Sequence, residues 1–356
     1  MAEKVLMKGN EAIAEAAIRC GCMHYFGYPI TPQTEIAAYM AKRMPKIGGV
    51  FLQAESEVAA INMVYGLAAT GKRVMTSSSS PGISLKAEGI SYIAGCDLPC
   101  LIVNVQRGGP GLGGIQPSQA DYFQATRGGG HGDYHLLVLA PASVQEMATL
   151  TVKAFDLADK YRIPAMLLAD GTIGQMMEPV NLDIGEVAQY DKPWAVTGTE
   201  GKRKHNIVNS LSLNPQELEK QNFERFARYQ LIEENEQMAE EFMMDDAEIC
   251  VVAFGVASRV SRNAILAARE KGIKVGMIRP ISIWPFPKNV MKKAAEHVKA
   301  FISVELSMGQ MIEDVRLSTE CKKPVYLCNR AGGIIPTPDE VLEKICEVND
   351  MGGAQK

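Results

Sequence analysis

None of the eight cysteines of this 356-residue chain stands in a C-x-x-C pair: they lie at Cys20, Cys22, Cys96, Cys100, Cys250, Cys321, Cys328 and Cys346. That excludes the usual frameworks of zinc ribbons, redox dithiols and iron–sulfur loops, so the chain is expected to hold no metal or cluster of its own. No run of about 18 apolar residues occurs, and the first ten residues contain no apolar signal core, so neither a membrane span nor an export signal is expected. With thiols and no such signals, a reducing cytoplasm is the expected compartment. Charge of one sign is not in excess either: 37 basic side chains face 41 acidic ones, which argues against nucleic acid as a partner. Apolar residues at 47% exclude a disordered chain, and 32 glycines with 18 prolines exclude a collagen-like one.

What remains is a globular chain long enough for two domains. Ile13, Ala16, Ala17 and Cys20 form one helix face, and Met23–Tyr28 reads as a strand stopped by Pro29 and Pro32. Gly49–Gln53 is a second strand, followed by a helix carrying Val58, Ile61, Tyr65 and Ala68 on one side. Extended structure resumes over Arg73–Ser77 before a Pro81-Gly82 turn, and Leu101–Val105 is an apolar run suited to a strand covered on both faces. Strands Leu136–Leu139 and Ala165–Ala169 flank a helix opened by the capping box Ser143-Val-Gln-Glu146. Such alternation predicts a doubly wound parallel sheet over residues 1–190. Residues 191–247 read as a polar linker plus a surface helix. Over 248–349, four β-α steps predict a smaller α/β domain, with strands Ile249–Phe254, Val275–Ile278, Phe301–Val304 and Val325–Cys328.

Ligands of open parallel sheets bind beyond the carboxyl ends of the strands. There the sequence places Tyr28-Pro-Ile-Thr31-Pro32, Glu55-Ser-Glu57, Ser77-Ser-Ser-Ser80-Pro-Gly82 and Arg107-Gly-Gly-Pro-Gly111. Each has an ordinary structural reading: a glutamate at a helix start complements the helix dipole, a threonine between prolines is a turn residue, and an arginine is a solvated charge. Their convergence points to a site. Gly109-Pro-Gly111-Leu-Gly113-Gly114 formally matches a G-x-G-x-x-G dinucleotide loop, but it follows the fourth strand, and Gln116-Pro117 delays any helix. The loop, with Gly128-Gly-Gly130-His131-Gly132, is instead expected to lie over the site. His131 reads equally as a turn residue and as a proton-transfer group.

On these residues the chain resembles the α subunit of the 2-oxoacid:ferredoxin oxidoreductases, most closely the 2-oxoisovalerate type. The matching stretches are Lys8-Gly-Asn-Glu-Ala-Ile13, Gly27-Tyr-Pro-Ile-Thr-Pro-Gln33, Gln53-Ala-Glu-Ser-Glu-Val58, Ser77-Ser-Ser-Ser-Pro-Gly-Ile-Ser84, Gln106-Arg-Gly-Gly-Pro-Gly111, Gln119-Ala-Asp-Tyr-Phe123, Gly129-Gly-His-Gly-Asp133 and Arg279-Pro-Ile-Ser-Ile-Trp-Pro285. The resemblance implies a pyrimidine-type thiamine diphosphate-binding domain and a transketolase C-terminal-like domain. It implies that Glu57 contacts the aminopyrimidine as the catalytic carboxyl, with Glu55 as its competitor, and that Pro29, Ile30, Ser79, Ser80 and Pro81 also touch the cofactor. Thr31 and Arg107 would hold the 2-oxoacid carboxylate and carbonyl. The implied reaction is oxidative decarboxylation with coenzyme A to acyl-CoA, CO2 and reduced ferredoxin.

The Gly-Asp-Gly and downstream Asn that hold Mg2+ on the diphosphate in thiamine enzymes have no good match: Ala169-Asp170-Gly171 has the wrong first residue and Asn181 follows too soon. Asp170 reads as a strand-end turn residue. The resemblance therefore implies a β subunit supplying the diphosphate and Mg2+ half, with iron–sulfur clusters on further iron–sulfur and γ-type subunits. A 2-oxoglutarate specificity would need an additional cation near Arg107, from Lys86 or Arg127, whereas a branched substrate needs only an apolar pocket lined by residues such as Ile30, Ile115 and Tyr122. A third reading is a nucleotide- or coenzyme-A-binding protein without thiamine chemistry. Glu305-Leu-Ser-Met-Gly-Gln310 has no role from sequence beyond packing or subunit contact.

Overall fold

The computed structural model describes residues 4–185 and 187–353. Leu101–Gln106 and Ala165–Asp170 are buried at every residue and pair in parallel, so the apolar runs form the middle of a sheet covered on both faces. Among the described residues this sheet has seven strands, in spatial order Ser282–Trp284, Leu137–Leu139, Ala165–Asp170, Leu101–Gln106, Met75–Ser78, His24–Gly27 and Val50–Gln53. Pairing is parallel except for Ser282–Trp284, which runs antiparallel to Leu137–Leu139. A second sheet, again among the described residues, orders five strands as Val325–Asn329, Ala300–Glu305, Ile249–Val252, Val275–Pro280 and the antiparallel Ala239–Phe242. The result is the expected pair of α/β units.

Three features depart from the sequence reading. Pro81-Gly82, expected as a turn, opens the helix Pro81–Gly95, where the missing proline N–H costs nothing because the first turn has no intrahelical acceptor for it. The stretch expected as linker and surface helix holds the helix Pro215–Asn235, started by the Asn214 side chain, and then Ala239–Phe242, which completes the second sheet. Ser282–Trp284 leaves the second unit and closes the edge of the first sheet, with Ala140 N donating to Ile281 O at 2.8 Å.

Polar contacts join the units. Glu146 starts its helix as expected, through Ser143, but its carboxylate reaches the amide of Ala142 rather than that of the cap residue and holds both terminal nitrogens of Arg279, at 2.9 and 2.7 Å. Asp170 caps the helix Gly171–Gln175 and accepts from the Val256 amide at 2.8 Å. Burial pushes its carboxyl up to about 6 against the pull of these amide donors. Five of the cysteines are buried, Cys96 and Cys346 are half-buried and Cys321 is exposed.

Candidate functional site

The strands Met75–Ser78 and Leu101–Gln106 end side by side, and the residues that follow them form one constellation. Its first half is built on Glu57. Ser56 adopts extended backbone and accepts from the Ala59 amide at 3.1 Å, which starts the helix with Glu57 at its first position. Glu57 is only 6% exposed, whereas Glu55 is exposed. The carboxyl lies over Gly82: a Cβ there would stand 2.8 Å from Glu57 Oε1 and 2.1 Å from Ser78 Oγ. Glycine is what lets the carboxyl and the hydroxyl pack this closely on the turn. The Ser78 and Ser79 hydroxyls beside it are buried and have no partner among the described residues.

The second half is built on Arg107, 7% exposed. Its terminal nitrogens donate to Thr31 O at 3.0 Å and Leu112 O at 2.9 Å, while Nε is buried without a partner among the described residues. None of the described carboxylates comes within 4.0 Å of this guanidinium. A buried cation without a counter-ion is a standing electrostatic cost that an anionic ligand relieves. Ser80 links the halves: its amide donates to Asn104 Oδ1 at 3.1 Å, and its hydroxyl accepts from the Arg107 amide at 3.0 Å and donates to Asp121 Oδ2 at 2.6 Å. It holds a left-handed φ of 23°, a strained conformation for a serine and one often found where a site over-determines the backbone. Thr31 and Pro29 stand exposed at the rim, and Ile30 and Pro81 are half-buried.

Other expected residues lie elsewhere. Lys86 is fully buried, and its ammonium reaches the backbone carbonyl of Glu57 at 3.4 Å. Arg127 pairs with Asp314 at 3.0 Å and lies over the Phe123 ring. Tyr122 is not free to line a substrate pocket: it packs on Phe123 and Phe254 and donates to Asp314 at 2.5 Å. Ile115 is exposed on the glycine loop. That loop folds on itself, Gly114 N to Gly108 O at 2.8 Å, and the next helix, Tyr122–Thr126, begins well after Gly114, so no helix N-terminus stands at the glycines. His131 is exposed, and its loop lies on the Pro81–Gly95 helix, where a Cβ at Gly130 would meet Ala87 O at 2.4 Å. Asp121, Asn104 and Gly82 received no role from the sequence, although Asp121 and Gly82 fall inside matching stretches. A separate cavity of about 680 Å³ lies at the opposite, amino ends of the strands, and its Arg73 and Lys192 are already paired with Asp156 and Asp159.

Burial holds the Lys86 amine down at about 8, with Glu57 pulling the other way. Because the folded value lies below the unfolded one, the folded chain binds fewer protons between pH 8 and 10.5, and stability rises across that window. Lys86→Met is therefore expected to stabilise the isolated chain at pH 7 by up to about 3 kcal/mol and to flatten the alkaline rise. Urea unfolding at pH 7 and 10 measures both, and a variant less stable at pH 7 would contradict the assignment.

A parallel α/β sheet with a buried carboxyl and, among the described residues, a buried guanidinium without an acidic partner at its carboxyl edge suits a thiamine-dependent oxidoreductase domain. Residues 15–244 match the family model described as pyruvate flavodoxin/ferredoxin oxidoreductase, thiamine diphosphate-binding, and residues 247–341 match pyruvate:ferredoxin oxidoreductase core domain II. The chain belongs to this family. It is 52% identical over 344 residues to ketoisovalerate oxidoreductase subunit VorB of Methanothermobacter thermautotrophicus, covering 96% of this chain and 97% of the relative. The 2-oxoglutarate synthase subunit KorA of the same organism is 35% identical, with 98% and 100% covered. Among solved structures, the 2-oxoglutarate:ferredoxin oxidoreductase from Magnetococcus marinus superimposes with a TM-score of 0.88 at 28% identity, over 97% of this chain and 65% of that longer one.

Proposed function

We propose that this chain is the subunit of a 2-oxoacid:ferredoxin oxidoreductase that binds the pyrimidine half of thiamine diphosphate and the carboxylate of the substrate, most closely 2-oxoisovalerate. The observation that carries the reading is the pairing, across the Ser79–Gly82 turn, of a buried carboxyl in a glycine-made cradle with a buried guanidinium that has no acidic partner among the described residues. The residues fit the cofactor. An aminopyrimidine docking against this turn would meet Glu57 and the unpartnered hydroxyls of Ser78 and Ser79, with Pro29, Ile30, Ser80 and Pro81 around it.

When bound, thiamine diphosphate supplies the carbanion chemistry. Glu57 would face the ring nitrogen of the pyrimidine as its proton-exchange partner, with little water around the buried carboxyl. Arg107 draws the 2-oxoacid carboxylate towards its unpartnered Nε, and the Thr31 hydroxyl at the rim donates to the carbonyl oxygen. The product would leave as an acyl-CoA, with CO2 and reduced ferredoxin.

Two observations favour a branched substrate over 2-oxoglutarate. Lys86 is buried under Glu57 and Arg127 is taken up by Asp314, so neither cation is left for a second carboxylate. Two relatives at 52% identity carry the ketoisovalerate name, and relatives with the 2-oxoglutarate name stand at 28% to 36%. A nucleotide-binding reading loses its support because no helix begins at the glycine loop.

A β subunit would complete the site with the diphosphate and Mg2+ half, and iron–sulfur and γ-type subunits would pass electrons to ferredoxin. Leu52, Val58, Met63 and Leu85, on the strand and the two helices that lead into and out of the Glu57 and Ser80 turns, are exposed apolar side chains, which suits contact with a further subunit. No described helix is long and apolar enough to cross a membrane, and we place the assembly in the cytoplasm. Purified alone, the chain is expected to bind thiamine diphosphate weakly and to oxidise no oxoacid; robust turnover by the chain alone would sink the proposal. In the co-expressed complex, an oxoacid panel is expected to favour 2-oxoisovalerate over 2-oxoglutarate by about tenfold or more in kcat/KM. The reverse order would select the alternative substrate.

A further inference from the structure

Gln310 lies in the second unit and touches the first at two backbone positions on either side of Asp121. Its Nε2 donates to Ala120 O at 2.7 Å, and its Oε1 accepts from the Phe123 amide at 2.7 Å. The backbone that carries this side chain is held by an unusual neighbour. Glu305, 1% exposed, accepts from the hydroxyls of Ser303 and Ser307 and from the amides of Gln310, Met311 and Ile312, all between 2.7 and 3.0 Å. Five donors on one buried carboxylate fix the turn Leu306–Gln310 at the start of the helix Met311–Ser318. The same turn meets Gln119 twice: Gln119 N donates to Leu306 O at 2.9 Å, and Leu306 N donates to Gln119 Oε1 at 3.1 Å.

Between these tethers, Asp121 points into the first unit. Its amide donates to Gln106 Oε1 at 3.2 Å, and its Oδ2 accepts from Asn104 at 2.9 Å and from the Ser80 hydroxyl at 2.6 Å. Ser80 in turn accepts from the Arg107 amide. Hydrogen bonds of 2.6 to 3.0 Å, joined through the backbone of 120–123, thus lead from the second unit to the backbone of Arg107. We propose that Gln310, oriented by Glu305, is a positioning residue that sets Asp121 and through it Ser80 and Arg107, so that the second unit controls oxoacid binding without touching the substrate. The link to oxoacid binding rests on the function proposed above. The hydrogen-bond run rests on the geometry alone.

A purely structural role would weaken everything together, whereas a positioning role is selective. Glu57 makes no side-chain hydrogen bond to Asp121 or Ser80 among the described residues, so the carboxyl's contact with the cofactor is expected to change less than the arginine does. In the assembled complex, Gln310→Ala is expected to raise the oxoacid KM about tenfold, the loss expected for two hydrogen bonds, with thiamine diphosphate affinity within about twofold of wild type. Gln310→Glu keeps an acceptor for the Phe123 amide and gives up the donor to Ala120; its KM falls between the two, and it takes the place of the alanine variant if that does not fold. Hydrogen exchange on the full-length chain reads the geometry independently of turnover: the variant speeds exchange over 118–123 and at the Arg107 amide. Wild-type exchange at Arg107 in the variant overturns the proposal, as does a loss of cofactor affinity in step with KM. A wild-type complex that oxidises no 2-oxoacid overturns the functional reading alone, and exchange at Arg107 still decides the positioning run.

Discussion

A Glu57→Gln chain assembled with its partner subunits is expected to fold normally, bind oxoacid with little change, and turn over about a thousandfold more slowly, within the range a positioned acid–base group contributes. The substitution is nearly isosteric, so packing against Gly82 and Ser78 is kept. What goes is the carboxyl proposed to exchange a proton with the pyrimidine nitrogen. Glu55→Gln is the matched control: Glu55 is exposed two residues earlier, and its variant should turn over like wild type. Steady-state oxidation with a low-potential dye reads the rate, and a thermal melt checks the fold. Full activity in Glu57→Gln, or equal losses in both variants, would remove Glu57 from the chemistry.

Arg107→Ala should raise the oxoacid KM by about 10- to 100-fold, the equivalent of one charge-assisted pair. Its effect on stability should be small, because the alanine variant loses two bonds to carbonyls but also a buried charge without a counter-ion. Arg107→Lys should rescue poorly. A lysine offers a single charged centre and cannot hold Thr31 O and Leu112 O while presenting a further N–H to a carboxylate. Steady-state KM and the protection of the chain by oxoacid in thermal melts measure the two effects. An unchanged KM in the alanine variant would show that the substrate anion binds elsewhere.

Much of the frame was legible because it is written in local patterns. Leu101–Val105 and Ala165–Ala169 are apolar without alternation, which only a strand buried on both faces tolerates, and both became central strands. Pro81-Gly82 misled because the same dipeptide suits a turn and a helix start, and the helix behind it carries Lys86 on a buried face. The candidate site divides in the same way. Glu57, Thr31 and Arg107 follow strand ends, where position alone marks them. Asp121 and Gln310 carry no such mark: a half-buried carboxylate that accepts from a serine 41 positions away and an amide that clasps two backbone groups 187 and 190 positions away acquire meaning only when distant segments meet. Tyr122 was misplaced for that reason too, since Asp314 is 192 positions away.

The strand Ser282–Trp284 has a consequence for how this protein can be taken apart. The family boundary falls between residues 244 and 247, yet this strand, from beyond that boundary, seals an edge of the first sheet. A cut at the boundary would leave Leu137–Leu139 with a row of open backbone groups, a template for pairing with other chains. The two modules are separable as text but not as folding bodies, so gene fissions that break the chain there would have to keep both fragments together, exchanging a strand as the price of separation.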